Sequence, residues 1–416
     1  MGSAPALKPP PRELMPPGAV AAMLAFAGLP LYIHAPRYYA EDMGMGLAVL
    51  GLLLLAARAV DSVQDPIIGR LADRWRQRRE VWTLGAGILL ITSFALLFAP
   101  PTWGAPVPRL IAGLLAAFTG FSALQIALYD HGLAQAEAAG GGYTRIALFR
   151  EAGGLLGICL AAAAPAALAA LFGVSLAYAG YAAVFAVLAV MVLLWMRGRW
   201  QASGEGMPLA GFTAALRVTG VAAILGFGFV NALPTAVTST LFLFFVADIL
   251  RAETHAGLVL FVFFGAAAAA TPFWARLAAR IGRKGALTAG IALSVPAFIG
   301  AFLLGAGDIA AFYAIAAASG AALGADMTLA PAMLASRIRG GGGQVFALWT
   351  FLQKTALAIA AGVTFPLLAL AGYEPGGESD NGRVALSAAY ALVPCGLKLF
   401  ALPVLWVYVR DGGDTA

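Results

Sequence analysis

Two aspartates lie close together inside an apolar stretch of the chain. Asp61 and Asp65 are four residues apart and Arg58 precedes Asp61 by three, so in a helix all three share one face. Two carboxylates one turn apart can supply oxygen ligands to a hard cation such as Na⁺, or can share a proton. An Arg58–Asp61 ion pair is the structural alternative, but it leaves Asp65 unexplained. The spacing therefore predicts that Asp61 and Asp65 form a cation-binding pair that faces the interior of a helical bundle.

Several other polar side chains interrupt apolar stretches. They are Gln125, Tyr129, Asp130 and His131, then Arg150 and Glu151, and later Asn231, Asp326, Lys354 and Lys398. Arg150 can neutralise the acid pair, orient a polar substrate or pair with Asp130. Lys354 lies too deep in its apolar stretch for its ammonium group to reach water easily. For Asp326 a functional role and charge pairing both stay open, whereas for Lys398 pairing or snorkelling is expected.

The composition indicates a chain that folds in lipid. Hydrophobic residues make up 61% of the 416 residues and charged residues 11%, with a mean hydropathy of +0.87. Soluble domains are about half apolar and about a quarter charged. A charged side chain at the bilayer centre costs at least about 2.5–3.5 kcal/mol, so each polar residue named above needs a partner, water or a function. The net charge of +6 is distributed over alternate loops, which argues against a nucleic-acid partner.

The sequence has no recognisable catalytic or nucleotide-binding motif. HExxH, P-loop and GxSxG patterns are absent, and the chain has only three histidines. Cys159 and Cys395 both lie in apolar runs without metal or redox spacing, so structural thiols are expected. We therefore expect no enzyme and no cofactor, and any active transport by this chain should be driven by an ion gradient.

Twelve segments have the length and apolar character of membrane-spanning helices. They run approximately over 18–36, 45–68, 82–100, 108–133, 144–171, 174–196, 213–247, 255–279, 285–305, 308–336, 342–372 and 384–409. Lysine and arginine concentrate in the loops after the even-numbered segments, which places both termini in the cytoplasm. The first seventeen residues lack a signal-peptide pattern, so the first segment is expected to be a retained helix.

The two halves of the chain resemble each other. Residues 65–74 align without gaps with residues 271–280, and Pro, Arg, Leu, Ala and Arg recur in register at the same place in each half. Duplicated six-helix bundles are typical of secondary transporters. The predicted organisation is a cytoplasmic arm (1–17), an N-terminal bundle (18–196), a cytoplasmic linker (197–212), a C-terminal bundle (213–409) and a cytoplasmic tail (410–416).

The residues also resemble a known family. Residues 57–69 resemble the helix-two motif of the glycoside–pentoside–hexuronide:cation symporters of the major facilitator superfamily, and residues 346–354 resemble that family's helix-eleven signature. The resemblance implies that Asp61 and Asp65 belong to a Na⁺, Li⁺ or H⁺ site. It also implies that Arg150 and Lys354 are functional. The family's two sugar-binding acids fall near Ala25 and Gln125, which puts a simple glycoside substrate in doubt and makes an amphipathic substrate an option.

Together these observations predict an all-α membrane protein with the major facilitator fold that carries a small solute with Na⁺ or H⁺. The predicted substrate-binding residues are Arg150, Lys354, Gln125, Tyr129 and Asp130, and the predicted gating residues are Arg74 and Arg280. A proton-driven exporter of amphipathic compounds is the alternative, and a sensor with a degenerate transporter fold is a third option. The expected setting is a monomer in a bacterial-type inner membrane, with a small solute, the coupling cation and lipid as partners.

Overall fold

A computed structural model describes most of the chain. The described residues are 10–29, 31, 35, 38–39, 42–45, 47–98, 105–140, 142–204, 216–338, 342–374, 376 and 379–409. Within these ranges the chain is helical and forms no strand. The helices are α1 (Pro11–Leu29), α2 (Leu47–Arg74), α3 (Arg79–Leu97), α4 (Pro106–Ala138), α5 (Tyr143–Phe172), α6 (Val174–Met196), α7 (Val221–Phe244), α8 (Ala256–Phe302), α9 (Ile309–Ala335), α10 (Gly342–Leu370) and α11 (Asp380–Pro403). Single π-helical turns extend α7 and α11, over Phe245–Ile249 and Val404–Tyr408.

Most helices follow the predicted segments, with two informative differences. α1 begins at Pro11 and not at residue 18, and Leu14 is buried, so the end of the predicted cytoplasmic arm is helical and packed. α8 covers two predicted segments, 255–279 and 285–305. Gly282 interrupts it with a φ of 78°, a conformation that glycine adopts without the steric cost of a Cβ. Each half of α8 therefore corresponds to one predicted segment.

Among the described residues, nine helices are long and apolar enough to cross a membrane. α8 counts once among them, although it bends at Gly282. α1 and α2 are not among the nine. α2 carries Arg58, Asp61 and Asp65 within its apolar sequence.

The chain divides into two compact units. The first comprises Met1–Ala214 together with Arg339–Phe351, and the second comprises Ala215–Ile338 together with Leu352–Ala416. The first boundary lies close to the predicted linker. The inclusion of Arg339–Phe351 in the first unit was not predicted, because this segment precedes and opens α10, which belongs to the predicted C-terminal bundle.

In the first unit, α1 and α5 approach each other at glycines. A Cβ on Gly157 would lie 2.2 Å from the carbonyl oxygen of Ala22, and a Cβ on Gly153 would lie 2.1 Å from that of Gly18. Small residues at such crossings let membrane helices pack backbone to backbone. The rings of Phe94 and Phe185 fill the neighbouring core with their centroids 4.2 Å apart.

In the second unit, α8 and α9 pack in the same manner. A Cβ on Gly320 would lie 2.0 Å from the carbonyl oxygen of Phe263. Phe245 and Tyr390 stack with their centroids 4.1 Å apart in the core of this unit. Both units therefore combine glycine-mediated helix crossings with an aromatic core.

Candidate functional site

The predicted acid pair is buried on α2. Asp61 is 5% exposed and Asp65 is 0% exposed, and both lie in the first unit. Arg58 is exposed and is therefore not buried together with the two acids. The reason is that α4 covers α2 beside Asp61, whereas Arg58 lies about one turn further along the helix. The two carboxylates remain together, one turn apart.

Two neutral side chains donate hydrogen bonds to Asp61. Gln64 Nε2 donates a hydrogen bond to Asp61 Oδ1 over 3.1 Å, and Ser122 Oγ of α4 donates to the same oxygen over 3.3 Å. Thr119 Oγ1 in turn donates to Gln64 Oε1 over 2.8 Å. Carboxylate, amide and hydroxyl oxygens are the ligands that hard cations prefer. Sequence reasoning missed Gln64, Thr119 and Ser122, although Gln64 lies between the two acids and the other two are three residues apart on one helix.

The number of acidic groups limits which ion this site suits. Among the described residues, no group of three or more His, Cys, Asp and Glu side chains has metal-binding geometry. A cation between Asp61 and Asp65 would therefore be held by two carboxylates and neutral oxygens. Such a donor set fits a monovalent cation or a proton.

Arg150 of α5 is enclosed by charged and aromatic groups. Its Nε donates to Glu151 Oε1 over 2.8 Å and its Nη1 donates to the Tyr143 hydroxyl over 2.9 Å. Its guanidinium carbon lies 4.1 Å from the ring centroid of Tyr129. Phe346 stacks on Tyr129 at 4.9 Å and on Tyr143 at 6.3 Å. We call Tyr129, Tyr143 and Phe346 the aromatic box. Tyr129 and Arg150, both predicted to bind substrate, therefore lie in direct contact.

Asp130 has different partners from those expected. It forms an ion pair with Arg79 of α3 and accepts a hydrogen bond from the Ser203 hydroxyl. The suggested pairing of Arg150 with Asp130 is therefore wrong, since Glu151 pairs with Arg150. Its neighbour His131 accepts a hydrogen bond from the Gln201 backbone over 3.0 Å.

Asp73 holds the start of α10 in the first unit. Its two carboxylate oxygens accept hydrogen bonds from the backbone N–H groups of Gly343 and Gln344, each over 3.0 Å. These N–H groups belong to the first turn of α10, where a helix has no internal acceptors. The backbone N–H of Gly342 also donates to the Ser203 hydroxyl over 3.3 Å, which adds a further contact between the start of α10 and the first unit. These bonds explain why Arg339–Phe351 clusters with the first unit.

Asp73 lies beyond the apolar stretch 45–68 and is thus outside the part of α2 expected to cross hydrocarbon. Burial and the nearby Asp130 raise the pKa of Asp73 to about 6, against the opposing effect of the N–H groups of α10. Sequence analysis did not single out Asp73 or Arg79, because charged residues at the end of an apolar stretch are expected and carry no special signal.

The remaining predicted residues lie apart from these contacts. Arg74 is exposed at the end of α2 and Arg280 is exposed close to Gly282, and their gating role stays a prediction. Gln125 is half-buried on α4, one turn from Tyr129. Lys354 is half-buried on α10 in the second unit, next to Gln353, whose amide donates to the Gly228 carbonyl over 3.3 Å.

The long apolar helices identify an integral membrane protein, and a family comparison shows that it is a transporter of the major facilitator type. The chain belongs to the family described as MFS/sugar transport protein, which matches residues 17–411. This confirms the resemblance found in the sequence, and it identifies the chain as a transporter and not an enzyme.

One characterised relative is the sodium-dependent lysophosphatidylcholine symporter 1 of Gallus gallus. It is 29% identical to this chain over 152 residues. The match covers 34% of this chain and 29% of the relative, so most of each protein lies outside it.

Solved structures share the fold at low sequence identity. A bacterial homologue of the iron transporter ferroportin superposes with a TM-score of 0.66 at 16% identity, covering 93% of this chain and 99% of that one. The human organic anion transporter MFSD10 gives 0.64 at 18% identity, over 96% and 100% of the two chains. The proton:xylose symporter XylE gives 0.66 at 15% identity, over 96% and 95%. Identities this low establish the fold alone.

Proposed function

We propose that this protein is a cation-coupled symporter that carries a small polar or amphipathic solute by alternating access. Asp61 and Asp65 bind the coupling cation, which is Na⁺ or H⁺. The observation that carries the proposal is the burial of two carboxylates one turn apart within a membrane transporter. Like charges so close together are stabilised when a cation or a proton neutralises one of them.

Coupling follows from this electrostatic requirement. A cation shifts a conformational equilibrium only by as much as its affinity differs between the two states. The hydrogen bonds from Gln64 and Ser122 fix Asp61 in the described state. Movement of α2 against α4 changes the arrangement of these oxygen atoms and therefore changes their affinity for the cation.

The solute-binding residues are proposed to be Arg150, Lys354, Gln125, Tyr129 and Asp130. Arg150 and Tyr129 already form one stacked unit. Phe346 closes the aromatic box from the start of α10, and Asp73 holds that start in place. Release of α10 from Asp73 would uncover Tyr129 and Arg150, so access to the box is linked to this contact. Arg74 and Arg280 are proposed to assist this gate.

The solute is proposed to be sugar-like or lysolipid-like. The family is described by sugar transport, and the Gallus gallus relative is named for sodium-dependent symport of a lysophospholipid. An arginine stacked on aromatic rings suits a solute with a polar or anionic head and an apolar surface.

We further propose twelve membrane-spanning helices, with both termini in the cytoplasm, in a monomer of a bacterial-type inner membrane that needs no resident cofactor. The two halves of α8 supply two of these spans, and α1 and α2 supply two more despite falling outside the nine apolar helices. The distribution of lysine and arginine over the loops supports this topology.

The test is uptake into proteoliposomes under an imposed inward Na⁺ or H⁺ gradient, with lysophosphatidylcholine and a panel of glycosides as probes. Wild-type protein should accumulate at least one probe, whereas Asp61→Asn and Asp65→Asn should lose accumulation and still insert. Accumulation that survives in both variants would contradict the proposal. Coupled flux in the opposite direction would favour the alternative, a proton-driven exporter.

A further inference from the structure

Arginines concentrate in the first unit where α3 begins and α6 ends. Residues 75–80 and 195–204 contain five arginines and one acidic residue, Glu80. The backbone N–H of Gly198 donates a hydrogen bond to Glu80 Oε1 over 2.7 Å, so the two segments lie against each other although 118 residues separate these partners. Three exposed arginines border this contact, and we call them the arginine cluster: Arg78, Arg197 and Arg199.

The other charged side chains of this region have partners within the first unit. Arg79 forms its ion pair with Asp130, and Arg76 donates a hydrogen bond to the Gly204 carbonyl. The backbone N–H of Gly204 donates to Glu137 Oε2 over 2.8 Å. Three arginines beside a single acid therefore leave the surface at the ends of α3 and α6 positively charged.

The arginine cluster borders the apolar outer surface of these two helices. A Cβ on Gly87 of α3 would lie 2.5 Å from Leu193 Cδ1 of α6, so the two helices are in close contact. Each helix exposes apolar side chains at a spacing of three or four residues, which forms an apolar stripe along it. The stripes consist of Val81, Leu84 and Ile88 on α3 and of Val187, Met191 and Leu194 on α6.

Trp195 indicates the depth of the arginine cluster in the membrane. It lies in the last turn of α6 and is 41% exposed. Arg199 Nη1 donates a hydrogen bond to the Trp195 carbonyl over 2.7 Å, which brings this guanidinium group back to the end of α6. Tryptophan is enriched at the level of the lipid headgroups, and arginine places its charge there while its stem contacts apolar surface. The cluster therefore lies at headgroup level, next to the apolar stripes.

Membrane topology alone does not account for this arrangement. Arginines in loops orient a membrane protein by their number on one side, and this role requires no contact between distant loops. Here the bond between Gly198 and Glu80 brings together arginines from two segments. Guanidinium groups present several N–H donors in a plane that matches the oxygen atoms of a phosphate group. Basic residues of this kind beside membrane helices are suited to anionic lipid headgroups.

We propose that the arginine cluster binds the headgroup of an anionic phospholipid whose acyl chains lie along the apolar stripes of α3 and α6. The lipid phosphate accepts hydrogen bonds from Arg78 of one segment and from Arg197 or Arg199 of the other. The lipid thereby adds to the bond between Gly198 and Glu80 and holds the start of the linker against α3. The site goes beyond the proposed function, because it needs neither the acid pair nor a transported solute.

The test is native mass spectrometry of the purified full-length protein in detergent. The probes are phosphatidylglycerol and phosphatidylcholine with the same acyl chains. The wild type should bind phosphatidylglycerol at least about tenfold more tightly, because each arginine near an anionic lipid contributes about fivefold in affinity. The variant Arg78→Gln/Arg197→Gln/Arg199→Gln should lose most of this preference. A wild type without the preference, or a variant that keeps it, would overturn the proposal.

A matched control removes the same charge from other parts of the surface. Arg12, Arg217 and Arg276 are exposed and lie outside the two segments of the cluster. The variant Arg12→Gln/Arg217→Gln/Arg276→Gln should therefore keep the preference for phosphatidylglycerol. An equal loss in this control would show that the lipid responds only to net charge and would overturn the proposal.

Two further measurements separate a lipid site from its alternatives. The variant Arg78→Lys/Arg197→Lys/Arg199→Lys keeps the charges that orient the chain, so it should bind phosphatidylglycerol more tightly than the glutamine variant, and equal binding by the two would overturn the proposal. Inorganic phosphate in excess should not displace phosphatidylglycerol from the wild type, because it lacks the acyl chains that contact the stripes. Complete displacement would assign the cluster to a soluble anion and would overturn the proposal.

Discussion

The buried acidic side chains of the two units contact different neighbouring groups. In the first unit, Asp61 lies one turn from a second carboxylate and accepts hydrogen bonds from an amide and a hydroxyl group. In the second unit, Asp326 contacts the ammonium group of Lys398. Two carboxylates one turn apart repel each other when both are charged, whereas the acid of the second unit is attracted to the lysine that it contacts. The same buried residue type therefore has an acidic neighbour in one unit and a basic partner in the other.

The largest expected difference between the two units is in the free energy of unfolding when no coupling cation is present. Asp326→Asn leaves Lys398 buried without its ionic partner, and breaking a buried ion pair costs about 3–5 kcal/mol of unfolding free energy. Asp61→Asn removes one of two neighbouring like charges and should leave stability unchanged or slightly higher. Thermal unfolding in detergent with choline chloride, at neutral pH, measures both. Equal losses in the two variants would contradict the comparison.

A double variant checks the cause of that loss. Asp326→Leu combined with Lys398→Met removes both charges, and replacing a buried pair by apolar side chains is often neutral or stabilising by about 1–4 kcal/mol. The double variant should therefore recover most of the stability lost in Asp326→Asn. A double variant as unstable as the single one would show that the loss has a cause other than the unpaired ammonium group.

α10 carries Gly343 in the first unit and Gly362 in the second, so the two units can be compared within one helix. The expected change in unfolding free energy is smaller than that for the ion pair. A Cβ on Gly343 would lie 2.4 Å from Asp73 Oδ1, whereas a Cβ on Gly362 would meet nothing within 4 Å. Gly343→Ala should therefore cost about 1–3 kcal/mol through overpacking and disturb the bonds from Asp73. Gly362→Ala should gain up to about 1 kcal/mol from helix propensity. Chemical denaturation of both variants measures the difference, and equal effects would contradict the role of Asp73.

The smallest expected effect is a pH dependence from Asp73. Its pKa is raised from 3.8 to about 6, so its contribution to stability is fully present below about pH 4 and is lost as the pH rises to about 6. After allowance for solvent at a half-buried site, unfolding free energy should fall by about 1 kcal/mol over this range. Asp73→Asn should remove this slope in a series of unfolding experiments. A slope that persists would assign it to another group.

Much of the fold was predictable from hydropathy, because a helix that crosses lipid needs a long apolar sequence. The break at Gly282 was predicted as a loop, since the basic residues around it separate two apolar segments. The assignment of Arg339–Phe351 to the first unit was not predictable. It depends on hydrogen bonds from Gly343 and Gln344 to Asp73, about 270 residues earlier, and backbone donors leave no pattern in a sequence.

Residues of the candidate site were predictable where a charged side chain lies within an apolar sequence. Asp61 and Asp65 stand out because an acid in an apolar membrane helix costs free energy unless it has a partner, water or a function. The partner of Arg150 was missed, because the adjacent Glu151 looks like an ordinary neighbour and only the packing of α5 buries both. The pairing of Asp326 with Lys398 was one of several options, and only the packing of α9 against α11 selects it.

The central claim is that Asp61 and Asp65 bind the coupling cation. The most direct test is thermal unfolding of purified wild-type and Asp61→Asn/Asp65→Asn protein, with Na⁺ titrated against choline and pH varied in parallel. A ligand at 100 times its dissociation constant stabilises a protein by about 2.7 kcal/mol, which is large enough to detect. The account predicts that Na⁺ or acidification raises the unfolding temperature of the wild type, and that the double variant loses this response. Identical responses of the two proteins in both titrations would contradict it.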